Sequence, residues 1–77
     1  MNAAEVQALI QTGLPGAQVR VASDDDTHFE AVIVSPQFRG LNKVRQHQLV
    51  YGALGGRMRE EIHALSMKTL TPEEWTG

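Results

Sequence analysis

Two short runs of alternating apolar residues, separated by five polar ones, constrain the fold of this chain more than any other feature. Gln18–Ala22 alternates around Val19 and Val21, and His28–Val34 is rich in β-branched residues. Residues 23–27 predict a turn, because Ser and Asp side chains hydrogen-bond their own backbone. A connection this short requires antiparallel strands, so the sequence predicts a β-hairpin. A cation site at the three adjacent aspartates is the alternative to a solvated turn.

The length and composition indicate one globular domain, residues 1–77, because single cores become marginal near about 60 residues. Hydrophobic residues make up 42% of the chain and charged residues 21%, values typical of folded domains rather than disordered segments. There is no cysteine, so any metal must be held by histidine, carboxylate or a partner. Neither a signal-like leader nor a run of about 20 apolar residues is present, so we expect a cytoplasmic protein without membrane contact.

Helical periodicity predicts two helices, a short one over residues 3–11 and a long one over residues 43–60 with Asn42 as N-cap. Gly55 and Gly56 lie inside the long helix and predict a kink, a break or a tight contact. The predicted core-facing stripe of the long helix consists of Val44, His47, Val50, Tyr51, Leu54 and Met58.

A third strand is predicted over residues 63–69, and a last short helix is predicted to begin at Thr71 and to carry Trp75. With an extra turn around Pro36, the order of elements is αββ(α)αβα. The long helix permits the third strand to run parallel to the second. We therefore predict an α+β fold, a three-stranded mixed sheet with helices packed on one face, an arrangement also found in class II KH-like folds.

No catalytic motif is present in the chain. It lacks a cysteine nucleophile, a G-x-S-x-G turn, a glycine-rich phosphate loop after a strand, and H-E-x-x-H. Ser35 and Ser66 could each lie near a histidine, but nothing places an orienting acid and an oxyanion hole around them. The sequence therefore predicts neither enzymatic activity nor a small-molecule substrate.

The three histidines are the candidate metal ligands. His47 falls on the predicted buried stripe and is expected to be structural. His28 alternates with Phe29, so we expect it on the surface of the second strand. His63 begins the third strand, where its ring could either cap the core or emerge at the rim of the sheet. One histidine cannot hold a metal, but it can complete a site whose thiolates come from another chain.

Several segments, taken in order, resemble the BolA family, and the acidic residues before Thr-His-Phe resemble its IbaG-like members. They cover almost the whole chain, and the resemblance depends on their order and spacing. The segments are Thr27-His28-Phe29, residues 32–35, Phe38-Arg39-Gly40, residues 44–51, Ile62-His63-Ala64-Leu65-Ser66, and residues 70–75. The resemblance implies a BolA-like fold related to KH domains.

The resemblance also implies a partner and a cofactor. BolA-like proteins form heterodimers with monothiol glutaredoxins around a bridging [2Fe-2S] cluster, to which glutaredoxin and glutathione supply thiolates and the BolA-like protein supplies a histidine. The family's C-terminal histidine falls on His63. A second ligand, where present, lies in the loop between the first two strands, and here only His28 lies near that loop. We expect no cluster in the isolated protein, and a role in cluster assembly, trafficking or iron and redox sensing.

The family is also regarded as a group of transcriptional regulators that act in stress responses through a helix-turn-helix-like segment, here residues 38–51. Residues 39–59 contain five of the seven basic residues and no acid. Phosphate contacts could come from Arg39, Lys43, Arg45 and His47. The acidic remainder of the chain would repel DNA, and the family lacks the G-x-x-G loop of KH domains. The basic segment could instead dock an acidic partner surface, and a purely structural adaptor is the remaining alternative.

Overall fold

The computed structural model describes residues 1–56 and 64–76. Its elements are a helix α1 (Ala3–Gly13), strands β1 (Gln18–Ala22) and β2 (His28–Val34), a 3₁₀ turn (Pro36–Phe38), a helix α2 (Lys43–Leu54) and a strand β3 (Ala64–Leu70). The predicted α+β class, the hairpin and the turn at Pro36 are confirmed. Among these residues, no helix is long and apolar enough to cross a membrane.

Helix α1 begins at a capping box and ends two residues later than predicted. The Asn2 side chain accepts a hydrogen bond from the Glu5 N–H at 2.9 Å, and the Glu5 carboxylate accepts one from the Asn2 N–H at 3.1 Å. At its C-terminal end, Gly13 lets α1 approach α2 closely, because a Cβ there would lie 2.4 Å from that of Ala53. The two helices are thereby packed side by side.

The sheet is mixed, with strand order β1-β2-β3. β1 and β2 are antiparallel, whereas β2 and β3 are parallel, with His28 paired with Ala64. The inward side chains of the strands and the buried residues of both helices form one core, so the helices cover one face of the sheet as predicted. This core includes Val6, Ile10, Val19, Phe29, Ala31, Ile33, Val50 and Leu54.

Helix α2 ends earlier than predicted and buries a different face. It ends at Leu54, and Gly55 follows with a φ of 61° and donates its N–H to the Tyr51 carbonyl. Of the three alternatives for the paired glycines, the structure shows a helix break, because glycine readily adopts positive φ. The predicted helix to residue 60 is therefore wrong. Its last residues, Met58 among them, lie outside the described part of the chain.

The buried side of α2 consists of Gln46, Val50 and Leu54. Val44 is 66% exposed and Tyr51 41% exposed, so the predicted stripe was wrong at both positions. The buried face differs from the predicted one because the helix buries a polar side chain. The Gln46 amide donates to the Leu41 carbonyl at 2.8 Å and accepts a hydrogen bond from the Thr69 hydroxyl at 2.7 Å. A buried glutamine with satisfied hydrogen bonds replaces the apolar residue that periodicity alone assumes.

The predicted last helix is also wrong. Thr71 and Glu74 exchange hydrogen bonds, with the Glu74 carboxylate accepting from the Thr71 N–H at 2.9 Å and the Thr71 hydroxyl accepting from the Glu74 N–H at 3.3 Å. These are the contacts of a capping box, but residues 72–74 form only a turn. The capping signal was correctly identified, and no helix follows it within the residues described up to 76.

Candidate functional site

The connection between β1 and β2 is organised by its own side chains. One oxygen of Asp25, Oδ1, accepts hydrogen bonds from the backbone N–H groups of Thr27 at 3.0 Å and His28 at 2.9 Å. The Ser23 hydroxyl accepts from the Asp26 N–H at 3.0 Å and donates to the His28 carbonyl at 2.7 Å. The predicted turn is therefore confirmed, and an oxygen of Asp25 accepts hydrogen bonds from backbone donors, which favours a turn over a cation site.

His28 lies at the end of this turn with an exposed ring. Its side chain is 72% exposed, on the face of β2 opposite buried Phe29, so the predicted surface position is confirmed. The ring Nδ1 lies 2.9 Å from Oδ2 of Asp25. Together with Glu30 of the same strand, both residues line a shallow depression on the outer face of the hairpin.

The charge state of Asp25 determines how the His28 ring can bind. The pKa of the Asp25 carboxyl lies well below its usual range, first because the His28 backbone N–H donates to it, and then because the His28 ring and the Thr27 N–H do so. Asp25 is therefore a carboxylate at neutral pH and can only accept hydrogen bonds. In a neutral His28 ring, the proton must then be on Nδ1, and the lone pair is on Nε2.

His63, the other predicted ligand, lies outside the described residues. The described part of β3 begins at the next residue, Ala64, whose Cα pairs with that of His28. The Ala64 N–H also donates to the Thr27 carbonyl at 3.2 Å. The residue that follows His63 in the sequence is therefore held beside the start of β2.

Two of the four residues proposed for phosphate contact bind the protein's own C-terminal segment. Arg39 forms a two-pronged ion pair with Glu73, with both N–O distances at 2.6 Å. This contact raises the pKa of Arg39 and lowers that of Glu73. The Lys43 ammonium donates to the Thr69 carbonyl. These two cations are thus directed toward the protein itself.

The other two basic-segment residues have different surroundings. Arg45 is exposed on α2, and no carboxylate of the described residues lies within ion-pair distance of it. His47 is half-buried on the same helix rather than fully buried on a core stripe. Of the four predicted residues, two are thus engaged within the chain, one is exposed without an ion-pair partner among the described residues, and one is half-buried.

Sequence reasoning missed two carboxylates that shape these regions. Asp25 stands two residues before Thr27, the spacing at which an aspartate in a turn commonly accepts a hydrogen bond from the backbone ahead of it, so a local signal existed. Glu73 is 34 residues from Arg39, and no local sequence pattern predicts that these two side chains form an ion pair.

The metal-ligand donors of the described residues are few. Within residues 1–56 and 64–76, no group of three or more histidines and carboxylates is placed to hold a metal ion. His28 does present one imidazole nitrogen to the exterior, with a carboxylate on the other nitrogen, as metal-binding histidines usually have. A cluster bound here would need its thiolates from elsewhere, because the chain has no cysteine.

Comparison with known proteins places these features in a family. A sequence model described as BolA-like protein matches residues 11–74. The chain is 38% identical over 72 residues to the acid stress protein IbaG of Escherichia coli, covering 92% of this chain and 84% of that protein. It is 44% identical over 50 residues to the DNA-binding transcriptional regulator BolA of Haemophilus influenzae, covering 65% of this chain but only 48% of that protein. Both relatives are named for regulation or stress rather than for an enzymatic activity.

The fold gives the same result. The structure of a bolA protein homologue from Coxiella burnetii superposes with a TM-score of 0.81 at 45% identity, covering 96% of this chain and 95% of that one. BolA1 from Arabidopsis thaliana superposes with a TM-score of 0.80 at 34% identity, covering 96% and 95%. By the family match and by these relatives, the chain belongs to the BolA-like family.

Proposed function

We propose that this protein is the histidine-donating partner of a monothiol glutaredoxin and shares a bridging [2Fe-2S] cluster with it, in cluster assembly, trafficking or iron and redox sensing. The observation that carries the proposal is the exposed ring of His28, whose Nδ1 is hydrogen-bonded to the Asp25 carboxylate at 2.9 Å. Metal-ligating histidines usually have such a partner, which fixes the ring and its tautomer.

His63 is the second histidine of the proposed site, and it is the ligand that the family resemblance implies. Support for placing it with His28 comes from its sequence neighbour Ala64, which pairs with His28 across the β2–β3 ladder. The proposal accordingly assigns both histidines to one shared site at this end of the β2–β3 ladder.

The absence of cysteine explains why a partner is required. The remaining ligands are the thiolates of glutaredoxin and of glutathione, since iron–sulfur clusters are held mainly by thiolates. Replacing a thiolate with a neutral imidazole raises the reduction potential of a cluster of this type. This chain contributes histidine nitrogen as a ligand at one side of the shared site and holds the ring in a fixed orientation.

The test is co-expression with a monothiol glutaredoxin, followed by visible circular dichroism and iron and sulfide analysis of the purified heterodimer. We expect a [2Fe-2S] heterodimer whose spectrum changes and whose cluster is retained less well when His63 or His28 is replaced by Ala. His47→Ala is the matched control, because this third histidine lies on α2. A heterodimer without cluster, or one whose spectrum is the same in all three variants, would contradict the proposal.

A second candidate function is DNA binding, as in the relative named as a DNA-binding transcriptional regulator. The exposed Arg45 on α2 favours it, whereas Arg39 and Lys43 are already bound within the chain. Phosphate contacts make affinity fall steeply with salt. An affinity for promoter DNA that does not change with salt concentration, or that is the same in Arg45→Glu, would exclude this function.

A further inference from the structure

The two oxygens of Asp25 have separate roles. Oδ1 accepts the backbone N–H groups of Thr27 and His28 at 3.0 and 2.9 Å, together with a long contact of 3.4 Å from the Ser23 hydroxyl. Oδ2 lies 2.9 Å from Nδ1 of the His28 ring. The same carboxylate therefore fixes both the backbone from which His28 projects and the ring itself, so the direction of the imidazole is determined at two points.

The neighbouring acids do not share this role. Asp24 lines the same depression, but no hydrogen bond joins its carboxylate to any described residue. Asp26 contributes its backbone N–H to Ser23 and has a φ of 56°, a left-handed conformation that aspartate tolerates better than most residues. The contact with the ring is thus specific to Asp25 rather than a general effect of three negative charges.

We propose that Asp25 is a positioning residue that holds the His28 ring with its proton on Nδ1 and so presents Nε2 as the metal-binding nitrogen. The inference rests on the proposed function and specifies which nitrogen binds and what selects it. A carboxylate accepts hydrogen bonds only, whereas a neutral imidazole donates from one nitrogen and offers a lone pair at the other. A carboxylate on the far nitrogen also makes the ligating nitrogen more basic.

Asp25→Asn separates the two roles. The asparagine Oδ1 can still accept both backbone N–H groups, which holds the amide in place, because the reversed orientation would set donors against donors. The position of Oδ2 is then taken by an NH₂ group, which donates to Nδ1. The His28 proton is therefore expected to move to Nε2 while the turn is preserved. Asp24→Asn is the control, since it removes the same charge from the same turn.

The first measurement uses the isolated protein and needs no cluster. In ¹⁵N NMR spectra of the neutral histidine ring, we expect the Nδ1–H tautomer of His28 in the wild type and in Asp24→Asn, and the Nε2–H tautomer in Asp25→Asn. The amide shifts of Thr27 and His28 report whether the turn is intact. A merely structural role for Asp25 would leave the ring tautomer the same in all three proteins.

The second measurement uses the cluster-loaded heterodimer with a monothiol glutaredoxin. We expect loss of the cluster to a chelator to be about 10-fold faster in Asp25→Asn than in the wild type or Asp24→Asn. This is the effect typical of removing the hydrogen-bond partner of a ligating histidine's other ring nitrogen. In a His28→Ala background, Asp25→Asn should add nothing, because the residue acts through the ring.

The outcomes distinguish the inference from the proposed function. An Nε2–H tautomer in the wild type, equal cluster loss in Asp25→Asn and Asp24→Asn, or an undiminished effect of Asp25→Asn without His28 would each overturn the role of Asp25. The proposed function would survive these results. A wild-type heterodimer that holds no cluster would instead overturn the proposed function and, with it, the assignment of Nε2 as a metal ligand.

Discussion

The turn between β1 and β2 and the junction between α2 and the C-terminal segment use polar side chains in opposite ways. In the turn, the bonded residues are at most five positions apart, and their contacts leave the His28 ring facing solvent. In the junction, Gln46, Lys43 and Arg39 reach residues 23, 26 and 34 positions away and are directed toward the protein. The turn leaves its histidine exposed, whereas the junction connects distant parts of the fold.

This difference bears on function as well as on stability. A side chain held by its neighbours in sequence can remain available to a partner, as His28 does. The cations of the junction are engaged in intramolecular contacts, and binding DNA phosphates through Arg39 would require breaking its ion pair with Glu73. The comparison therefore favours the histidine turn over the basic segment as the site of interaction.

The largest expected effect on stability comes from breaking the junction at Gln46. Gln46→Ala removes the partner of the buried Thr69 hydroxyl and leaves a small cavity, so we expect a loss of about 2–4 kcal/mol in the free energy of unfolding. Urea unfolding measures it, with the exposed Gln48→Ala on the same helix as control. Equal stability of both variants would show that the junction contributes little.

A smaller and local effect is expected in the turn. Asp25→Ala removes the acceptor of the Thr27 and His28 N–H groups, so their amide protons should exchange faster while those of α2 are unaffected. Asp24→Ala is the control, because it alters the same turn without removing these bonds. Exchange that speeds up throughout the chain would contradict the local character of the turn.

The smallest effect is a pH dependence at the exposed end of the junction. The hydrogen bond from Arg39 lowers the pKa of Glu73. The stabilisation of the folded state by this ion pair is therefore fully present above the ordinary glutamate pKa, and it is lost as the pH falls through the lowered pKa of Glu73. In Arg39→Gln, the pKa of Glu73 should rise toward its ordinary value in ¹³C NMR titrations.

Glu74 is the internal control for this titration. Its pKa is lowered mainly by the Thr71 backbone N–H and should remain low in Arg39→Gln. A Glu73 carboxyl that titrates at the same pH with and without Arg39 would show that the ion pair does not persist in solution.

The same comparison shows what could be predicted from the sequence. Period-two alternation predicted the hairpin and the surface position of His28, and the helical crossover correctly suggested a parallel third strand. These features depend on local pattern and chain connectivity. The end of α2 was mispredicted because the glycine pair was compatible with three outcomes, and the structure shows a helix break at Gly55.

The face of α2 was mispredicted for a different reason. Gln46 is buried because Thr69 and two backbone carbonyls satisfy its amide, and these partners cannot be read from a helical period. The partner of Arg39 is equally distant in sequence. His63 remains a prediction, because it lies outside the described residues.

The central claim, that a histidine nitrogen of this chain binds a cluster shared with glutaredoxin, is tested most directly by isotope labelling. The heterodimer is assembled from this protein with ¹⁵N-labelled histidine and an unlabelled monothiol glutaredoxin, and the reduced cluster is examined by pulsed EPR. We expect a strongly coupled nitrogen whose signal changes from that of ¹⁴N to that of ¹⁵N with the label. A cluster without a strongly coupled nitrogen, or with a nitrogen signal that remains that of ¹⁴N in the labelled heterodimer, would contradict the account.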